Sequence, residues 1–218
     1  MKQYESYQCD VCGNVVEVQE VGGGELYCCK QPMKMITPDL TLVNLLKAFA
    51  GESQARNRYE YYAKVAQKEG YRDIGAHFQR AANNEKQHAK LELALHNRMQ
   101  NNTNESWGDT IANLQDAIAG ESYENLSMYP DFAEIARQEG HEEAAQLFSK
   151  IAQVEVEHEK MYRELLARLN SGHEFESDEE EAWICEVCGH VHYGKKAPEV
   201  CPVCSHPKPY FSRKLESK

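Results

Sequence analysis

Apolar residues recur at helical spacing through most of the central chain. Leu45, Ala48, Phe49, Ala55, Tyr59, Tyr62 and Ala66 form one stripe, and Glu52 lies in its middle. Phe78, Ala81 and Ala82 lead into Glu85 and His88. Leu114 and Ile118 lead into Glu121, with Met128, Phe132 and Ile135 beyond. Phe148, Ile151 and Ala152 lead into Glu155 and His158, and Tyr162, Leu165 and Leu169 follow. The pattern predicts helices over about 40–69, 71–99, 107–139 and 141–170. Pro38 and Asp39 are expected to open the first helix, and Glu69-Gly70 and Glu139-Gly140 to form hairpin turns with Gly in the left-handed conformation.

The same phrase occurs twice. Ala50-Gly51-Glu52-Ser53 with Glu85-x-x-His88 is matched by Ala119-Gly120-Glu121-Ser122 with Glu155-x-x-His158. An unpaired buried carboxylate costs roughly several kcal/mol, so four glutamates on one apolar core require cations. One Glu on each of two helices and Glu-x-x-His on each of the other two is a carboxylate-bridged dinuclear metal arrangement of a ferritin-like bundle. In such a bundle the polar stretch Gln100–Glu105 is expected to be the single long crossover between hairpins. The repeats differ by one residue: Glu52 to Tyr62 spans ten positions and Glu121 to Phe132 eleven. This predicts a π-bulge near Met128-Tyr129-Pro130. Glu124, three residues after Glu121, has no counterpart in the first half.

The chain ends carry a different chemistry. All eight cysteines fall in two groups of four, with none between Cys29 and Cys185. Such clusters are metal sites in a reducing compartment. Cys9-x-x-Cys12-Gly13, the alternating Val16 and Val18, Gly22-Gly23-Gly24 and Cys28-Cys29 suggest a short β-ribbon holding one ion, with Gly13 at positive φ and the adjacent thiolates distorting the tetrahedron. Cys185-x-x-Cys188 and Cys201-x-x-Cys204 form a second tetrahedral site, for which spacing alone favours zinc. The expected fold is therefore mainly α: a four-helix bundle with small β-ribbon tetracysteine modules at both ends. The modules are expected at 1–36, 37–172 and 183–218, with a solvated acidic tether at 173–182.

Composition narrows the function. At 218 residues and 41% hydrophobic content the chain has room for one mid-sized core, and a net charge of −11 argues against nucleic acid. Lacking a membrane-length apolar run or an apolar signal region at its start, it is expected to be cytoplasmic. His96, His141 and His173 pair with no site by spacing and are expected at the surface.

Gly51-Glu52-Ser53-Gln54-Ala55-Arg56-Asn57-Arg58-Tyr59, Glu85-Lys86-Gln87-His88-Ala89 and Ala197-Pro198-Glu199-Val200-Cys201-Pro202-Val203-Cys204-Ser205-His206-Pro207 resemble the rubrerythrin family. The N-terminal cysteine pattern resembles desulforedoxin, and the three modules in this order resemble the desulforubrerythrin group. The resemblance implies iron at Cys9, Cys12, Cys28 and Cys29, iron at Cys185, Cys188, Cys201 and Cys204, and a di-iron centre, in an oxidoreductase reducing hydrogen peroxide to water. It further implies Glu52, Glu85, Glu121, Glu155 and His158 as ligands, and Glu124 and His88 as alternating ligands of one iron. Tyr59 and Tyr129 match the family's tyrosines beside the metals. An NADH-dependent rubredoxin reductase or rubredoxin-type donor and a homodimer or higher homo-oligomer are implied partners. The alternatives are a ferritin-like ferroxidase or iron-storage protein, and a non-enzymatic bundle flanked by zinc ribbons.

Overall fold

The computed structural model describes residues 3–36 and 39–214, arranged as two compact units, residues 1–107 and 108–218. In the first unit, β1 (Ser6–Gln8), β2 (Val15–Glu17) and β5 (Lys34–Ile36) form an antiparallel sheet in the order β2-β1-β5. β3 (Tyr27–Cys28) and β4 (Gln31–Pro32) form a separate ribbon that carries the Cys28-Cys29 pair. The helices α1 (Leu40–Lys68) and α2 (Arg72–Asn101) follow as a long hairpin. Asp39 caps α1, its carboxylate accepting from the backbone N–H groups of Thr41 at 3.0 Å and Leu42 at 3.4 Å. The expected Pro38 start lies outside the described residues. Gly70, at φ 92°, turns α1 into α2.

The second unit repeats the hairpin. Asp109 caps α3 (Thr110–Tyr123), which passes through one π-helical turn, Glu124–Met128, into α4 (Tyr129–Gln138). Gly140, at φ 79°, leads into α5 (Glu142–Asn170). The extra residue expected near Met128–Pro130 is thus absorbed just upstream, in a turn that begins at Glu124. Within each hairpin the buried helical residues are mostly small: Ala63, Ala66, Ala82 and Ala89 in the first, Ala133, Ala136 and Ala145 in the second. Helix backbones approach closely there, while apart from the buried Ile118 the larger apolar side chains stay half-buried or exposed.

After α5, β6 (Glu176–Cys185), β7 (Val191–Lys196) and β8 (Phe211–Arg213) form a sheet ordered β7-β6-β8. Its core is Trp183, Cys185, Ala197, Cys201 and Phe211. The expected acidic tether is corrected here, because residues 176–182 belong to β6. Glu181 is tied to Ser177 and Arg213, and Glu176 pairs with Lys196 at 2.9 Å. Partnered charges can occupy a strand that an isolated acidic run cannot. Eight residues, 102–109, connect α2 to α3. Among the described residues, no helix is long and apolar enough to cross a membrane.

Candidate metal centres

Three of the four cysteine pairs sit on the same backbone loop. The N–H of Cys9 donates to Asn14 O and that of Gly13 to Cys9 O, both at 2.9 Å. Cys185 with His190 and Gly189, and Cys201 with His206 and Ser205, repeat both bonds at 2.8–2.9 Å. The residue after the second cysteine is Gly13 at φ 76°, Gly189 at φ 73° and Ser205 at φ 59°. The fourth pair is built differently: Cys29 and Lys30 are both left-handed, at φ 50° and 63°. Such a bend lets consecutive residues aim at one point, as adjacent ligands require.

The sulfurs are spaced for a metal. Cys12–Cys28, Cys28–Cys29, Cys185–Cys204 and Cys188–Cys201 are 3.5, 3.9, 3.6 and 3.7 Å apart. A tetrahedron with metal–sulfur bonds of about 2.3 Å has edges of about 3.8 Å, whereas a disulfide is about 2.05 Å. Without metal, the N–H groups of Cys12 and Val11 lower the Cys9 thiol to about 7. At Cys201 burial raises the thiol, but the N–H groups of Cys204 and Val203 prevail and bring it to about 6. Hydrogen bonds from neighbouring thiols push Cys29 up to about 12.

The helical hairpins carry the second kind of site. Glu52, Glu85 and His88 offer ligand atoms all within 4.8 Å of one another, and so do Glu121, Glu155 and His158. His88 Nδ1 lies 2.8 Å from Glu85 and 3.7 Å from Glu52; His158 Nδ1 lies 2.6 Å from Glu155 and 3.7 Å from Glu121. Burial first, then the charge of Glu85, raises the Glu52 carboxyl; burial, then Glu155, raises that of Glu121. Each group is a concentration of negative charge that a cation would relieve. Beside it stands an aromatic trio, Tyr59–Tyr62–Phe78 with centroids 5.6–6.2 Å apart in the first hairpin and Tyr129–Phe132–Phe148 at 5.7–6.5 Å in the second. Burial, then Glu124, raises the Tyr129 phenol.

Glu124 is half-buried in the π turn and stands outside the group of three. Sequence reasoning missed its neighbour Asn125, which is buried and donates to Glu159 at 2.7 Å, where Arg163 also binds. It also missed Glu92, one turn after His88, whose charge reaches Glu52 and whose buried Oε2 has no hydrogen-bond partner. Spacing of four from His88 was the available signal. His96 is buried, not superficial, with Nδ1 3.2 Å from Asn97. His141 and His173 are exposed as expected.

Two carboxylate–imidazole groups on helical hairpins, with a tetrathiolate module at each end, define a non-haem metalloprotein of the ferritin-like carboxylate class. Three family models match: rubrerythrin over residues 44–166, the desulfoferrodoxin N-terminal domain over 1–36, and the rubrerythrin rubredoxin-like domain over 183–212. The chain belongs to the rubrerythrin family. It is 46% identical to a rubrerythrin of Porphyromonas gingivalis over 82% of this chain and 92% of that one. It is 59% identical to the desulfoferrodoxin of Nitratidesulfovibrio vulgaris over 34 residues, 16% of this chain and 27% of that one. A solved structure of fully reduced nigerythrin (all ferrous) is 32% identical, covering 80% of this chain and 86% of that one, with a TM-score of 0.31. The residues fit the family's metal, with oxygen-rich groups bearing one imidazole each for paired iron and four thiolates for each single iron.

Proposed function

We propose that the chain is a non-haem di-iron peroxidase that reduces hydrogen peroxide to two waters. The reaction consumes two electrons and two protons. The electrons would come from an NADH-dependent rubredoxin reductase or a rubredoxin-type donor, and iron held by the four-cysteine sites would supply the relay. The working form is a homo-oligomer, and the compartment is the cytoplasm. The carrying observation is the repeated group of two carboxylates and one imidazole, at matching distances, in a rubrerythrin-family chain that also holds two tetrathiolate sites.

When bound, the iron pair supplies both electrons together, so that the O–O bond breaks without releasing a hydroxyl radical. The protein's own groups do the rest. Glu52, Glu85, Glu121, Glu155 and His158 would hold the metals. Glu124 and His88 would be the alternating ligands of one iron, carboxylate suiting the ferric and imidazole the ferrous state. Glu124, when not a ligand, carries a proton to the departing oxygen. Burial, then the charge of Glu124, raises the Tyr129 phenol and keeps it protonated, and Tyr59 stands at the corresponding place in the aromatic trio of the first hairpin. The backbone N–H groups of Cys12 and Val11 face the Cys9 sulfur and those of Cys204 and Val203 the Cys201 sulfur, where they would tune the thiolates as electron relays.

Anaerobic reduction followed by mixing with peroxide tests this reading. Stoichiometric oxidation by one peroxide per iron pair, repeatable after re-reduction, is the expected result. Progressive iron accumulation without peroxide turnover would instead establish the storage protein, and colourless tetracysteine sites with no bundle iron the zinc-flanked scaffold.

A further inference from the structure

Beside the metal groups, equivalent positions of the two hairpins carry different chemistry. In the second hairpin the residue after His158 is Glu159. Its carboxylate accepts from Asn125 Nδ2 and Arg163 Nε, both at 2.7 Å, and Arg163 also reaches Ser122 Oγ at 3.4 Å. In the first hairpin the residue after His88 is Ala89, which is buried and brings no carboxylate. The donors of the repeat remain: Ser53 matches Ser122, and Arg56, three residues on, stands where Asn125 stands.

What the first hairpin has instead is a groove of about 290 Å³ between α1 and α2. Arg56, Lys86 and Lys90 line it, and no carboxylate does. Arg56 meets Glu60 through Nε at 3.4 Å; among the described residues, neither lysine has an ion-pair partner. Lys86 and Lys90 are four apart and so lie side by side on one face of α2, where like charges repel each other. A bound anion removes that repulsion. Phe49, Leu93 and Trp107 supply apolar surface to the same groove. Trp107 is 46% exposed, and its place beside α2 is fixed by Ser106, whose carbonyl accepts from Asn97 at 3.0 Å and whose hydroxyl accepts from Arg98 at 2.6 Å. The open indole ring offers a flat apolar surface on which a second ring can stack.

We propose that this groove binds a phosphate monoester carried on a flat aromatic body, the chemistry of a nucleoside monophosphate. The phosphate takes the part that the Glu159 carboxylate plays in the second hairpin and is held by Arg56, Lys86 and Lys90, while the ring lies against Trp107. A phosphate monoester carries a charge of about −1.5 to −2 at pH 7, which balances two unpaired lysines where a single carboxylate would not. The volume, at the lower end of the range for small-molecule sites, suits one nucleotide. The site uses none of the metal ligands, so it stands or falls apart from the peroxidase reading.

Isothermal titration calorimetry of the full-length protein with 5′-AMP, adenosine and inorganic phosphate, each titrated separately, tests the site. AMP should bind once per chain, with adenosine and phosphate each at least about 10-fold weaker. Lys86→Ala with Lys90→Ala, both at exposed positions, should weaken AMP at least about 10-fold, and Trp107→Ala should weaken AMP but not phosphate. Ala89→Glu, which gives the first hairpin the carboxylate of the second, should abolish AMP binding with helicity unchanged by circular dichroism. Absence of AMP binding up to about 10 mM, or binding unchanged in the double lysine variant, overturns the site. Adenosine binding as tightly as AMP overturns the phosphate recognition. Phosphate binding as tightly as AMP, with no effect of Trp107→Ala, overturns the aromatic body.

Discussion

Ser205 occupies, at φ 59°, the place that Gly13 and Gly189 fill in the other two cysteine knuckles. The loop geometry, not the residue type, is what the metal site demands, so the Cys-x-x-Cys spacing marks all three knuckles although a glycine follows only two of them. The glutamates were legible for the opposite reason: a charged residue in an apolar stripe is conspicuous wherever it lies. Their cost can be measured. Burial and mutual repulsion raise Glu52 and Glu121, so these groups weaken the metal-free fold when ionised and relieve it as the pH falls through their raised values. Glu52→Gln with Glu121→Gln should raise the melting temperature of metal-free protein at neutral pH by on the order of 2 °C, by calorimetry, while abolishing bundle iron. Glu124→Ala should keep the tetrathiolate colour and helicity but lower peroxide turnover about 100-fold if the carboxylate carries the proton. Unchanged steady-state turnover would remove that role.

Among the elements, the π turn is the one whose purpose is testable by deletion. The third helix needs eleven residues where the first needs ten, and the surplus is absorbed within Glu124–Met128. Counting the repeat revealed that a residue was extra. It placed the surplus near Met128–Pro130, and the π turn lies over Glu124–Met128, because a widened turn can settle within a few residues and neighbouring packing selects the position. Removing the exposed Ser127 should restore a regular helix, leaving Tyr129 four rather than five residues from Glu124. Circular dichroism should then be unchanged or slightly stronger, with peroxidase turnover at least 10-fold lower. In the C-terminal sheet, Arg213 binds Glu181 of β6, donates to the carbonyls of His173 and Glu176, and lies 4.8 Å from the centre of the Trp183 ring. Arg213→Ala should cost this module about 1–3 kcal/mol, seen as faster iron loss on heating. Burial works against the Glu181 carboxylate, but hydrogen bonds from Ser177 and Arg213 outweigh it and hold the group below its usual value. Its stabilising contribution is therefore present above the ordinary carboxylate value and is lost as the pH falls through the lowered one, a dependence that Glu181→Gln should flatten.

For the molecule as a whole, a net charge of −11 favours a basic electron donor. Stopped-flow reduction by such a donor should slow at least several-fold between about 10 mM and 150 mM salt, as the Debye length shortens from about 30 Å to about 8 Å. An uncharged chemical reductant should show no such change. The sequence by itself determined the helical hairpins, the two four-cysteine modules and the repeated Glu and Glu-x-x-His phrases, because periodicity, turn chemistry and ligand spacing are local. Only the tertiary structure decided that residues 176–182 pair into a strand, that His96 is buried, and that Ser106 is fastened to α2. Each of these depends on a partner distant in sequence or on packing among elements, which no local pattern encodes.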